Sequence, residues 1–476
     1  MNKDKLQNEL VALLGPDKVI TDELELKYYS YDSSFLAKLN RFNPDAVVIA
    51  RSTEEVVKIV KYANEHKVPL IPRGAGTGET CGCIATQGGI ILDLSTWDTI
   101  EEVDAENMQV FCSPGVIHNN LNEHLAQFGL FFPPDPGSTR MCTIGGMVAN
   151  NSSGLRAVKY GATENYVLGL EVVLPTGEVI TTGGVTSRAT KSVSGMNLTK
   201  LMVGSEGTLG IITKIRLRLW PKPKGRGIAM AAFPHLEDAP ATVLDVYRAG
   251  ILPSGIEIMD DSAIRAANMY APDLNLPDAQ AILIFEVDGN PASVEWEGKQ
   301  IEEIAKKRAM LVEWSTEPNR MAALWKARGV VATAAARVRP DGSRIFHGED
   351  ISVPFTQVTE ALRRIKALGE EHDVKVVVYG HIGDGNLHTA PVIDPEIPEE
   401  VARANTLADG IHRLAIALGG STTGEHGVGL VRAGYSPLEH GRAVHTMAAV
   451  KKALDPNGIL NPGKLFILEE EKSNVN

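Results

Sequence analysis

Cysteine is scarce in this chain: four residues in 476, at Cys81, Cys83, Cys112 and Cys142. So few, all in the first third, exclude a disulfide scaffold. None is spaced as C-x2-C, which argues against an iron–sulfur cluster or a cysteine zinc site. Long apolar runs are also missing; nothing approaches the ~18–20 residues of a membrane-spanning helix. The opening MNKDKLQNELVALL is a charged amphipathic helix, without the apolar core and small-residue cleavage site of a signal peptide. A reducing, cytoplasmic setting is the expectation. Basic residues are in deficit, with 47 Lys+Arg against 59 Asp+Glu and a formal net charge of −12. Nucleic acid is therefore a poor partner, because neutralising phosphates needs clustered Lys and Arg.

What is present is ordinary globular material, 43% hydrophobic and 22% charged. The length suits two or three domains at roughly 100–200 residues each. Residues 44–50 predict a strand. Ser52 then opens a helix as a capping box with Glu55, and Val56, Ile59, Val60 and Ala63 fall on one face. Residues 68–72 and 88–94 predict two further strands. Residues 131–161 are rich in Gly, Ser, Asn and Pro and are expected to form a long loop. A hairpin is expected around Pro175-Thr176-Gly177, and a long strand over 207–220. The Pro221–Gly225 stretch sets a boundary: residues 1–221 form one domain, 222–420 an α+β domain with an antiparallel sheet. Residues 421–476 form a C-terminal segment that returns to the first domain.

Two glycine-rich stretches invite a phosphate-bearing ligand. Gly74-Ala75-Gly76-Thr77-Gly78-Glu79 falls short of the G-x-G-x-x-G fingerprint because Glu79 stands where glycine is required. Its amides suit an anion nest, or a plain glycine turn between strands. The second stretch holds Pro136-Gly137-Ser138, Thr143-Ile144-Gly145-Gly146 and Asn150 to Gly154, small residues that let a backbone approach a large planar ligand.

A third constellation surrounds Asp384-Gly385, a two-residue hairpin signal. Counted outward from that turn, Gly383 faces Asn386, Ile382 faces Leu387 and His381 faces His388. Opposite residues stand ~4.5–5.5 Å apart on one face, so the two histidines have metal-ligand reach. Two hydrogen-bonded core histidines are the alternative. In Thr422-Thr423-Gly424-Glu425-His426-Gly427, adjacent side chains of an extended segment point opposite ways. Glu425 then completes a two-His, one-carboxylate set for a divalent metal, Fe2+, Zn2+ or Mn2+, while His426 approaches a substrate.

RGAGTG, PDPGS, TIGGMVANNSSG, VGSEGTLGIIT, NPGK and GHIGDGNLH together resemble FAD-linked dehydrogenases of the vanillyl-alcohol oxidase type. The branch is that of the glycolate oxidase subunit and the D-lactate and D-2-hydroxyglutarate dehydrogenases. The likeness spans about residue 20 to 465. It implies a two-part FAD-binding domain and an α+β substrate, or cap, domain. It implies that Pro72, Arg73, Gly74, Ala75, Gly76, Thr77 and Gly78 wrap the FAD pyrophosphate. Pro136, Ser138, Thr143, Gly145, Gly146, Ser152, Gly154, Glu206 and Ile212 would line the cofactor, with Asn461 and Lys464 returning to it. Some relatives attach FAD through a histidine in the pyrophosphate loop; this loop has none, so non-covalent FAD is expected. The likeness carries His381, His388, Glu425 and His426 over as the metal site and its neighbour, and Asn386 as a residue of the reacting site.

Arg328 corresponds to an arginine that binds the substrate carboxylate in relatives; a solvated helix arginine is the alternative. His347 is a candidate fourth ligand or polar contact. Where the hydroxyglutarate enzymes carry a substrate-binding lysine, this chain has Gly348. The reaction expected is oxidation of a small 2-hydroxy acid, D-lactate favoured, to its 2-oxo acid. Arg328 holds the carboxylate, the metal takes the hydroxyl oxygen, His426 takes its proton and hydride passes to flavin. Without a nicotinamide fingerprint or cluster cysteines, electrons are expected to leave to a partner, an electron-transferring flavoprotein or an iron–sulfur subunit. Glycolate or D-2-hydroxyglutarate oxidation, or a non-catalytic flavoprotein electron-transfer subunit, are the alternatives.

Overall fold

The computed structural model describes residues 2–345 and 350–467. The chain forms two compact units that interleave in sequence. The first takes the residues up to Ser153, Ala162–Lys222 and those from Glu425 onward; the second takes Gly154–Gly161 and Pro223–Gly424.

In the first unit the expected strand–helix–strand opening forms. The Ser52 hydroxyl accepts from the Glu55 amide at 3.3 Å and caps helix Thr53–His66. The Glu55 carboxylate reaches back one residue further than a capping box requires, to the Arg51 amide at 2.8 Å. Val56, Ile59, Val60 and Ala63 are buried together with Ala46, Val48, Leu70, Ile90 and Leu92 of the adjoining sheet. Each fully buried Val or Ile side chain there contributes about 1.5–3 kcal/mol. In that sheet, strands Ala46–Ile49 and Leu70–Arg73 flank Ile90–Asp93 in parallel, and Val19–Ile20 adds an antiparallel edge. A second, antiparallel sheet runs in the order Ile100–Asp104, Gln109–Cys112, Ile211–Arg218, Val167–Val173, Val179–Thr181. Its last pair is the hairpin expected around Pro175–Gly177.

The 131–161 stretch departs from the expected loop. It contains helices Ile144–Asn150 and Ala157–Tyr160. The Thr143 hydroxyl caps the first by accepting from the Gly146 amide at 3.2 Å, and Met147 and Val148 are buried. Packing overrides the poor helix propensity of its two glycines.

The second unit is built on an antiparallel sheet in the order Leu311–Ser315, Gly225–Phe233, Ala281–Gly289, Gly255–Asp260, Lys375–Gly380, Asn386–Ile393, Ser343–Arg344; Asp350–Ser352 also pairs with Asn386–Ile393. One face packs on Ala263, Ile264 and Ala267 of helix Asp261–Tyr270, on Leu324 and Ala327 of Pro318–Gly329, and on Val331. Helices Pro291–Ala305 and Val358–Glu371 also belong to this unit. Residues 154–161 are tied into this unit by ion pairs. Arg156 donates two bonds to the buried Glu286, 2.7 and 3.1 Å, and Lys159 and Tyr160 both bind Asp288. The architecture is α+β. Among the described residues, no helix is long and apolar enough to cross a membrane.

Candidate active site

The glycine-rich segments of the first unit lie against one another. A Cβ on Gly74 would sit 2.3 Å from the Thr143 hydroxyl, and one on Gly207, at φ +70°, would sit 2.3 Å from Pro72 Cγ. Arg73 is buried, donates to the Tyr31 carbonyl at 3.0 Å and stacks over the Tyr29 ring. Asn461 donates to the carbonyls of Gly82 and Glu206, 2.7 Å each. Lys464 donates to the Ile84 carbonyl and the Thr86 hydroxyl, and burial pushes its ammonium down to about 8. No backbone amide of residues 75–79 donates to another described residue. Such a run of amides is an anion nest and fits a dinucleotide pyrophosphate.

Gly145 packs on Pro114, whose Cβ lies 2.6 Å from where a side chain would begin. The Pro136 and Ser138 carbonyls accept from Thr139 and Cys142, and the Ser152 amide donates to Met147. Ile212 pairs with Val172 in the second sheet. Gly154 belongs to the second unit. Glu206 is buried and takes the amides of Val428 and Gly429, 2.7 Å each, so it clasps the backbone just beyond His426. Within the same unit the Glu425 carboxylate accepts from the Ser153 hydroxyl at 3.3 Å, and His426 Nδ1 lies 3.1 Å from Glu79 Oε2.

In the second unit the histidine hairpin corrects the count made from the sequence. Tyr379, not His381, pairs with His388, and the connection runs through a 3-10 turn, Ile382–Asp384, ending on left-handed Gly385 at φ +80°. His381 therefore lies in the turn, Asn386 begins the returning strand, and neither Ile382 nor Gly383 has a ladder partner. The imidazoles still meet: Nε2 to Nε2 is 3.3 Å, with the rings edge to face. Both are buried. His381 Nδ1 lies 2.5 Å from Glu257 Oε1, and His388 Nδ1 lies 3.9 Å from Asp350 Oδ1. The Glu257 carboxylate behind Nδ1 of His381 turns its Nε2 toward His388, so the two imidazoles fit a divalent metal. His347 lies outside the described residues.

Glu257 does more than face His381. Its Oε2 accepts from Arg328 Nε at 2.6 Å, while the Arg328 guanidinium stacks on the Tyr379 ring at 4.7 Å. Arg328 is 8% exposed, which rules out a solvated helix arginine. Asn386 directs its amide to Asp350 at 2.6 Å and to the Ile351 carbonyl at 2.9 Å. Asp350 also takes the Gly424 amide at 2.8 Å, one peptide bond before Glu425.

Sequence reasoning missed Glu257, Asp350, Tyr379 and Arg344, the last of which donates to the Tyr379 hydroxyl at 2.8 Å. Glu257 did leave a signal: a lone carboxylate between Ile256 and Ile258 in a wholly buried strand.

The chain matches two family models: an FAD binding domain over residues 44–183 and an FAD linked oxidase C-terminal domain over 222–465. It is 37% identical to the glycolate oxidase subunit GlcD of Bacillus subtilis, covering 98% of each chain. It is 39% identical to the mitochondrial cytochrome-type D-lactate dehydrogenase of Arabidopsis thaliana, over 97% of this chain and 80% of that one. The D-lactate dehydrogenase of Anaerostipes hadrus is 34% identical over 95% of both. Among solved structures, p-cresol methylhydroxylase superposes with a TM-score of 0.80 at 19% identity, over 98% of this chain and 96% of that one. That likeness shows the fold alone.

Proposed function

The chain belongs to the FAD-linked oxidases, and from that membership we propose that it is a dehydrogenase of a small 2-hydroxy acid, with D-lactate the favoured substrate. The observation that carries this reading is Glu257, which holds His381 by one carboxylate oxygen and Arg328 by the other. One buried side chain thereby couples a ligand-type imidazole to a guanidinium suited to a substrate carboxylate. Arg328 keeps its outer nitrogens for that carboxylate. His381 and His388 would hold a divalent metal in one unit, and the loop at 72–78, with Thr143, Asn461 and Lys464, would hold FAD non-covalently in the other. When bound, the metal supplies Lewis-acid polarisation and FAD a two-electron acceptor. His426 accepts the hydroxyl proton as the Cα hydrogen leaves as hydride, so one 2-hydroxy acid yields one 2-oxo acid.

The relatives named D-lactate dehydrogenase support D-lactate, as does Gly348 where hydroxyglutarate enzymes carry a lysine. Arg344 favours a second reading, a 2-hydroxy dicarboxylate, since it adds a guanidinium at Tyr379. Electrons then leave to a partner protein, an electron-transferring flavoprotein or an iron–sulfur subunit. Anaerobic mixing with D-lactate, glycolate and D-2-hydroxyglutarate decides between the substrates. D-lactate is expected to bleach the flavin with the highest kcat/KM, and NAD alone to leave the reduced flavin unoxidised. A higher kcat/KM for hydroxyglutarate overturns the monocarboxylate reading; rapid reoxidation by NAD overturns the need for a partner.

A further inference from the structure

Glu79 is the residue that breaks the glycine fingerprint. It follows Gly78 in the cofactor loop. Its Oε2 is buried and makes no aligned hydrogen bond among the described residues. At 3.1 Å from that oxygen stands Nδ1 of His426. The other ring nitrogen, Nε2, lies on the side of Glu425, 3.9 Å from its carboxylate. The backbone at His426 is fixed independently: Asn150 donates to its carbonyl at 3.4 Å, and Glu206 binds the amides of Val428 and Gly429. The main chain is thus clamped by one carboxylate while the ring faces another.

We propose that Glu79 is the positioning residue of His426. Its carboxylate accepts the Nδ1 proton, which fixes both the ring orientation and the tautomer whose Nε2 lone pair faces the substrate hydroxyl. The logic is that of any carboxylate–histidine pair: a neutral imidazole has one donor and one acceptor nitrogen, and the group behind it decides which is which. The contact is at hydrogen-bond distance, and catalytic pairs often align fully only when substrate binds. The same side chain that spoils a dinucleotide fingerprint would then link the cofactor loop to the proton acceptor.

This inference rests on the reading of His426 as general base, so its test separates the two. Stopped-flow flavin reduction by D-lactate is measured for Glu79→Gln, Glu79→Asp, His426→Ala and the double variant Glu79→Gln/His426→Ala, with FAD content recorded for each. Glu79→Gln is close to isosteric, but its amide N–H can hold the wrong tautomer. It is expected to slow flavin reduction by roughly 10²-fold with FAD content and the KM for the acid unchanged. Glu79→Asp, which keeps an acceptor oxygen, is expected to stay within about tenfold of the parent. In the His426→Ala background the Glu79→Gln change should add nothing, because the two act as a unit. A parent-like rate for Glu79→Gln, an undiminished effect without His426, or loss of FAD from Glu79→Gln each overturns the assignment. A parent-like rate for His426→Ala instead overturns the base itself.

Discussion

At the residue scale, burial sets charge more firmly than residue type does. His118 is buried on helix His118–Ala126, and burial pushes its imidazole down to about 4 from the ordinary value near 6.5. Its folded pKa lies below the unfolded one, so the associated stability is complete above about pH 6.5 and is lost as pH falls toward 4. Urea midpoints at about pH 7 and about pH 5 should show a loss of up to about 1.4 kcal/mol per pH unit. His118→Gln should flatten that dependence; an unchanged slope would assign it to carboxylates instead. The histidine pair at 381 and 388 was legible as a pair because a turn signal and two histidines lie within eight residues. The carboxylates behind it were not. Glu257 reaches His381 only through the pairing of Gly255–Asp260 with Lys375–Gly380, more than a hundred residues along the chain, and no local spacing encodes that ladder.

At the element scale, local chemistry decided what could be read. Helix Thr53–His66 announces itself through Ser52, Glu55 and a helical apolar face, all within one segment. Helix Ile144–Asn150 does not, since Gly145 and Gly146 weaken it and it is held by the Thr143 cap and the burial of Ile144, Met147 and Val148. The histidine hairpin falls between these cases. Asp384-Gly385 marks the turn correctly, but the chain spends Ile382–Asp384 on a 3-10 turn before reversing, so the ladder is displaced. Gly385 is required there: at φ +80° an added Cβ would lie 2.1 Å from the Val353 carbonyl oxygen. Gly385→Ala is expected to cost at least about 1–3 kcal/mol and to loosen the imidazole pair. Chemical denaturation measures it; an unchanged midpoint would show that the turn relaxes without strain.

At the scale of the whole molecule, the chain separates its duties. The glycine-rich loop at 72–78, with Thr143, Asn461 and Lys464, belongs to one unit, and the histidine hairpin, Glu257 and Arg328 to the other. Damage to the hairpin should therefore spare the cofactor. The central claim is that His381 and His388 hold a metal needed for oxidation of the hydroxy acid. His388→Ala tests it most directly, with elemental analysis, FAD content and stopped-flow flavin reduction by D-lactate measured on one preparation. The account predicts loss of most of the metal, a full complement of FAD and flavin reduction slowed by roughly 10²-fold or more. Full metal and an unchanged rate in His388→Ala would make the histidines structural and contradict the account.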